Sequence, residues 1–234
     1  MEADKINRIA QLISGATPQE ALDLLSKGFA GKIVFSTSFG LEDQALTHVI
    51  FSENIPIRVF TLDTGRLFKE TYAVWSRTQE MYGKPIEVYA PNAAAVQKLV
   101  SEKGPNSFYD SVENRIECCH IRKVEPLQRA LKGNEIWVTG IRKEQSAGRN
   151  ALSPVEWDEK NNIIKFHPLF DWSSEKVKKF VKDQNVPYNS LHDGGYPSIG
   201  CEPCTRAVKP GEDERAGRWW WEETSKKECG LHLK

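Results

Sequence analysis

The sequence predicts an α/β protein: a mainly parallel sheet with helices on both faces, followed by a loop-rich C-terminal lobe and a short tail. Two patterns carry that reading. Short runs rich in Ile, Val and aromatics (Lys32–Ser36, Ile57–Leu62, Ile86–Tyr89, Ile136–Thr139) alternate with longer helix-like stretches, as crossover connections between parallel strands require. From Pro187 onward the character changes, with Gly194-Gly195, Pro197, Gly200, Pro203, Pro210-Gly211 and Gly217 breaking any regular period. All 234 residues then form one domain, with a lobe over 187–228 and a tail over 229–234.

The elements follow in order. Ile6, Ile9, Leu12 and Ile13 stand at helical spacing among charges, an amphipathic helix rather than a signal peptide. Helices are expected over Leu41–Ser52, Leu67–Tyr82, Ala93–Lys103 and Cys118–Leu131, the last starting at its cysteine pair. A further strand is expected at Ile163–His167 and a helix at Ser173–Asp183. Lys+Arg and Asp+Glu both number 32, so no overall field draws the chain to nucleic acid or a membrane. No apolar run reaches the roughly 20 residues of a membrane helix, and a cytoplasmic location is expected.

In an open parallel sheet, ligands sit beyond the carboxyl ends of the strands. After the first strand comes Ser36-Thr37-Ser38-Phe39-Gly40-Leu41-Glu42-Asp43, a hydroxyl-rich turn opening a helix, suited to a phosphate or sulfate. It lacks the lysine of a Walker A loop, and a plain serine-rich helix cap is the simpler account of it alone. Leu62-Asp63-Thr64-Gly65 follows the second strand; Gly140-Ile141-Arg142 follows the fourth, with Gln145 and Arg149 beyond. Three such loops together favour a nucleotide or anion site.

Five cysteines remain: Cys118-Cys119, Cys201-Glu202-Pro203-Cys204, and Cys229 in the tail. Two pairs complete one four-thiolate site and leave Cys229 without a sulfur partner, a candidate nucleophile. Adjacent cysteines suit a tetrahedral zinc poorly, since both sulfurs must reach one point, whereas a cubane offers separate iron corners. An iron–sulfur cluster therefore ranks ahead of zinc. A redox-active CxxC beside two buried thiols and a vicinal disulfide stay open.

The cysteine pairs together with Glu228-Cys229-Gly230-Leu231-His232 resemble the assimilatory adenylyl-sulfate (APS) reductases. Ser38-Phe39-Gly40, Leu62-Asp63-Thr64-Gly65, Gly140-Ile141-Arg142-Lys143-Glu144-Gln145-Ser146, Gly195-Tyr196-Pro197-Ser198-Ile199-Gly200-Cys201 and Arg215-Ala216-Gly217-Arg218-Trp219 match that family as well, so the resemblance covers nearly the whole chain. It implies an adenine nucleotide alpha hydrolase-like fold, a 4Fe-4S cluster on Cys118, Cys119, Cys201 and Cys204, and a catalytic Cys229. It further implies substrate contacts from Ser38, Phe39, Gly40, Asp43, Leu62, Thr64, Gly140, Arg142 and Arg149. Lys123, one turn beyond Cys119, would link the cluster to substrate charge, and Arg215, Arg218 and His232 would support the Cys229 thiolate.

The activity so implied is reduction of APS to sulfite and AMP through an S-sulfocysteine, within sulfate assimilation toward cysteine. Because plant-type relatives continue into a thioredoxin-like domain and this chain stops at Lys234, thioredoxin or glutaredoxin is expected as a separate reductant. Neither nucleic acid nor membrane is expected as a partner, and a homo-oligomer is compatible with the family. The related phosphoadenylyl-sulfate (PAPS) reductases typically lack the cluster cysteines, so all four favour APS, with PAPS or dual specificity as the alternative. An ATP pyrophosphatase or tRNA-modifying enzyme would favour Ser-Gly-Gly-x-Asp-Ser, from which Ser38-Phe39-Gly40-Leu41-Glu42-Asp43 departs. A metal-stapled binding module with an incidental Cys229 is the non-enzymatic rival.

Overall fold

The computed structural model describes residues 2–145 and 152–222. Its elements are α1 (Glu2–Leu12), α2 (Pro18–Gly28), β1 (Ile33–Thr37), α3 (Leu41–Ser52), β2 (Arg58–Leu62), α4 (Lys69–Tyr82), β3 (Glu87–Tyr89), α5 (Ala93–Lys103), α6 (Val112–Cys119), α7 (Glu125–Leu131), β4 (Ile136–Val138), β5 (Val155–Asp158), β6 (Ile163–Phe166) and α8 (Ser174–Asp183). The chain divides into two compact units, and the boundary cuts through β2 and β3.

The first unit comprises Met1–Phe60, Glu70–Glu87 and Gly133–Asn189. Its centre is β1, whose Ile33, Val34 and Phe35 are all buried, the continuous apolar run of a strand covered on both faces. β1 pairs in parallel with β4 (Ile33 with Ile136, Phe35 with Val138), and β4 in parallel with β6. The full order is β3-β2-β1-β4-β6-β5, a mostly parallel sheet flanked by helices, as expected. Leu22 and Leu25 of α2, Leu46 and Ile50 of α3 and Val177 and Val181 of α8 join Ile33, Phe35, Ile136 and Val138 in one core.

Two elements were missed in the sequence. Helix α2 starts with a full capping box, in which Thr17 caps Glu20 and Glu20 reaches back to Thr17, with Pro18 in its first turn. Strand β5 is an antiparallel edge, pairing Val155 with Phe166 and Asp158 with Ile163. Asn162, at φ 52°, turns the chain back, and Asp158 accepts the Asn161 N–H at 3.1 Å.

The second unit comprises Thr61–Lys69, Val88–Lys132 and Ser190–Lys234. The lobe expected at 187–228 thus supplies one of three segments that fold together. Leu99, Phe108, Cys118, Cys201, Cys204 and Trp219 form its core. Isolated bridges Leu67–Cys201 and Thr205–Arg218 and the Glu202 N–H to Arg66 carbonyl bond (2.8 Å) tie the segments where no sheet does.

The expected start of a helix at the cysteine pair needs correction. The helix begins at Val112, with Ser111 capping the Asn114 N–H at 3.1 Å, and the cysteines occupy its last turn. A π segment, His120–Val124, follows and passes into α7, the Glu125 N–H donating to the His120 carbonyl five residues back. Pro126 explains the widening: it carries no N–H, and in a regular α-helix its ring would strike the carbonyl of Arg122. The positive end of a helix dipole therefore does not serve these thiols.

Candidate functional site

The cysteine hairpin is set by local bonds. Glu202–Cys204 makes one 3₁₀ turn with Pro203 near its start, and the Cys204 N–H returns to the Cys201 carbonyl at 3.0 Å. The Thr205 hydroxyl also donates to that carbonyl, at 2.9 Å, and accepts the Gly200 N–H. Both sulfurs are thereby fixed to one side of a tight loop.

Opposite them stand Cys118 and Cys119 on the helix, and all four cysteines, none of them in a disulfide, line one recess of about 310 Å³ including its mouth. Arg66, Arg115, Arg122 and Lys123 line the same recess. Among the described residues, no group of three His, Cys, Asp or Glu side chains is placed to hold a single metal ion. An adjacent pair and a CxxC hairpin lining one recess form a donor set of four thiols that fits a polynuclear group with one thiolate per metal.

Charge distribution within the recess is uneven. Burial pushes the Cys201 thiol up, but Lys123, the Thr64 hydroxyl 3.3 Å from its sulfur, Arg218 and Arg122 together outweigh burial and bring it down. Cys204 is pushed up to about 12 by burial and by its neighbours Cys201 and Cys119. Burial likewise raises Cys118 against the pull of Arg122 and Arg66. Four thiols in one low-dielectric space cannot all ionise unaided, so only positive charge at their centre or rim lets them act as thiolates.

The predicted residues are distributed as follows. Lys123 reaches the cysteine recess, as its spacing from Cys119 implied. Arg218 is buried, its guanidinium 5.0 Å from the Trp219 ring centre and so close to Gly200 that a β-carbon there would overlap it. Arg215 is half-buried one turn before it. Thr64 is fully buried against Cys201, and the Arg122 guanidinium donates to its carbonyl at 2.7 Å; Leu62, half-buried, precedes this loop.

In the first unit, Ser38 donates through both its N–H and its hydroxyl to Asp43, each at 2.6 Å. A β-carbon at Gly140 would collide with that Asp43 carboxylate, so the loop after β4 closes directly on the turn after β1. Phe39 adopts φ 61° beside Gly40 and stacks on Trp75 at 5.5 Å, a left-handed conformation rare outside glycine and concentrated at binding sites. Arg142 is 2 % exposed and paired with Glu42 at 2.7 Å, so its guanidinium is already engaged within the protein. Arg149, Cys229 and His232 lie outside the described residues.

Arg66, Arg115 and Arg122 were not singled out by the sequence reading. Two of them carried a signal: Arg115 lies four residues before Cys119 and Arg122 four after Cys118, so each shares a helix face with a thiol. Arg66 had none, since its approach depends on the Leu67–Cys201 bridge.

Residues 32–207 match the phosphoadenosine phosphosulfate reductase domain. The chain is 46% identical to adenosine 5'-phosphosulfate reductase of Agrobacterium fabrum, over 100% of this chain and 92% of that protein. It is 54% identical to the protein of the same name from Burkholderia cepacia, over 86% of this chain and 81% of that one. Among solved structures, phosphoadenylyl-sulfate (PAPS) reductase from Candida auris, in its phosphate complex, superposes with a TM-score of 0.73 at 28% identity, covering 87% of this chain and 96% of that chain. With three quarters of its length inside the family model, the chain belongs to the phosphoadenosine phosphosulfate reductase family.

Proposed function

We propose that this chain reduces adenylyl sulfate to sulfite and AMP, in sulfate assimilation toward cysteine, with a separate dithiol protein as reductant and the cytoplasm as its location. One observation carries the reading: four of five cysteines share a recess walled by four basic side chains, which leaves Cys229 as the thiol available for chemistry. The names of the relatives at 46% and 54% identity support the substrate.

Cys118, Cys119, Cys201 and Cys204 would hold a 4Fe-4S cluster, which when bound supplies a structural tie between chain segments and a fixed local charge. Lys123, Arg122 and Arg218 keep those sulfurs as thiolates. Ser38, Phe39, Gly40, Asp43 and Gly140 form a wall for the nucleotide, Arg142 orders that wall through Glu42, and Arg149 meets the phosphosulfate.

The Cys229 thiolate attacks the sulfur of the sulfate group. The bond from that sulfur to the bridging oxygen breaks, and AMP leaves with its electron pair. Arg215, Arg218 and His232 favour the thiolate over the thiol, whose ordinary pKa of about 8.5 keeps it mostly protonated at neutral pH. A thiolate of thioredoxin or glutaredoxin then attacks the Cys229 sulfur and releases sulfite. Its second thiol breaks the resulting mixed disulfide and frees Cys229. Two electrons pass from the dithiol to sulfur.

Direct competition of APS against PAPS, with thioredoxin and sulfite as readout, tests the substrate. Preferred turnover of APS is expected. Preference for PAPS would overturn the assignment in favour of the second reading, to which the Candida auris neighbour points.

A further inference from the structure

The residues just before the tail are bound to the helix that carries Cys118 and Cys119. Arg115 and Glu222 form an ion pair at 2.6 Å with side chains only 10% and 15% exposed. The Arg115 side chain also lines the recess alongside Cys119 and lies 4.7 Å from the centre of the Trp219 ring. Arg218 packs on the same ring, and Trp219 is held at φ 44° with its N–H on the Cys204 carbonyl at 3.2 Å. The Glu222 N–H returns to the Trp219 carbonyl at 3.0 Å, and Trp221 packs against Phe108 and Tyr109.

This is more fastening than a surface loop needs. An exposed ion pair is worth little because water and salt screen it, whereas a shielded pair holds its geometry and fails badly when one partner is lost. Cys229 lies seven positions beyond Glu222, with six residues between them. Fully extended, that span reaches about 25 Å, so the root of the tail sets the volume the nucleophile can search.

We propose that Glu222 is a positioning residue for Cys229: its pair with Arg115 fixes the root of the tail to the cysteine recess, so that the state of the recess decides where the nucleophile stands. The idea rests on the Cys229 chemistry proposed above. Arg115 is the coupling element, since one guanidinium meets Cys119, the Trp219 ring and the Glu222 carboxylate at once. Disturbance of the recess would therefore also loosen the hold on Glu222.

Glu222→Ala tests this in the full chain. Formation of the SO3 adduct at saturating APS, without thioredoxin, should slow about tenfold or more, because small misplacements of a reacting group are costly. Half-saturation by APS should move less than about twofold, since the nucleotide contacts are untouched. Iron per chain and visible absorption should match the wild type. Glu222→Gln, which keeps an acceptor for Arg115, should recover most of the rate.

A second readout needs no chemistry at Cys229. Trypsin cleavage after Lys226 or Lys227, followed by mass, should be about fivefold faster in Glu222→Ala as the root opens. Wild-type adduct kinetics together with unchanged cleavage would overturn the proposal, as would a rate that falls only in proportion to lost iron. If the wild type itself forms no adduct, the proposed activity fails, and the cleavage rate still decides whether Glu222 holds the tail.

Discussion

Lys123 is the residue whose charge matters most to Cys201, outweighed only by burial itself. Lys123→Gln should therefore raise the Cys201 thiol and weaken the recess as a thiolate site, read as faster loss of iron to a chelator at neutral pH. Retention at the wild-type rate would contradict that role. Gly200 gives a second test, because a β-carbon there would overlap the Arg218 guanidinium. Gly200→Ala should displace Arg218 and cost about 1–3 kcal/mol in unfolding free energy, as overpacking of a buried site usually does. At this scale the sequence was informative wherever a residue's role depends on near neighbours. Lys123 followed from helical spacing, while Arg66 needed a contact made by the distant Cys201 segment.

The π segment directly after the cysteines sets how Arg122 and Lys123 stand relative to them. A π turn advances each residue by a smaller angle than the roughly 100° of an α-helix, and Pro126 enforces that turn. Pro126→Ala should let the segment tighten toward α geometry: helical circular dichroism holds or rises while iron per chain falls. Full iron occupancy would show that Pro126 does not set the recess geometry. The helix Ala93–Lys103 was legible to the residue because its signals are local, Asn92 capping the Ala95 N–H and Gly104 ending it. The start at Val112 was not legible because a lone Ser111 cap before an eight-residue helix is a weak signal, and β5 was not because a four-residue edge strand carries little period.

That edge makes a prediction of its own. Lys165 and Asp158 pair at 2.8 Å across β6 and β5, both nearly buried. Burial pushes the Asp158 carboxyl up, but bonds from Lys165 and Asn161 prevail and hold it below the usual carboxylate range. A depressed folded value contributes stability above the unfolded pKa of about 3.9, which is lost as pH falls through the folded value. Asp158→Asn should thus flatten the acid limb of stability against pH below about 4, at a cost near neutrality of about 3–5 kcal/mol for the unpaired lysine. An unaltered acid limb would remove the pair from the account.

Across the whole molecule, the two units differ in what holds them. The first has a large apolar core around β1, β4 and β6; in the second, three of the six buried core residues are cysteines. If the proposed cluster ties the second unit together, removing its iron should strip hydrogen-exchange protection from 88–132 and 190–222 while β1, β4 and β6 keep theirs. Equal loss in both units would argue against a metal tie confined to one. The α/β class and mostly parallel sheet were legible in the run pattern; the division into units was not, because it joins Thr61–Lys69 to segments far along the chain. No helix among the described residues is long and apolar enough to cross a membrane, in line with the hydropathy pattern.

The central claim is that Cys229 alone carries the transferred sulfur. Intact-mass measurement of the anaerobically purified protein after incubation with APS and no reductant tests it most directly. The account predicts one SO3 adduct on the wild type, absent in Cys229→Ser and discharged by reduced thioredoxin with release of sulfite. An unmodified wild-type chain that still turns over, or an adduct that persists in Cys229→Ser, would contradict it.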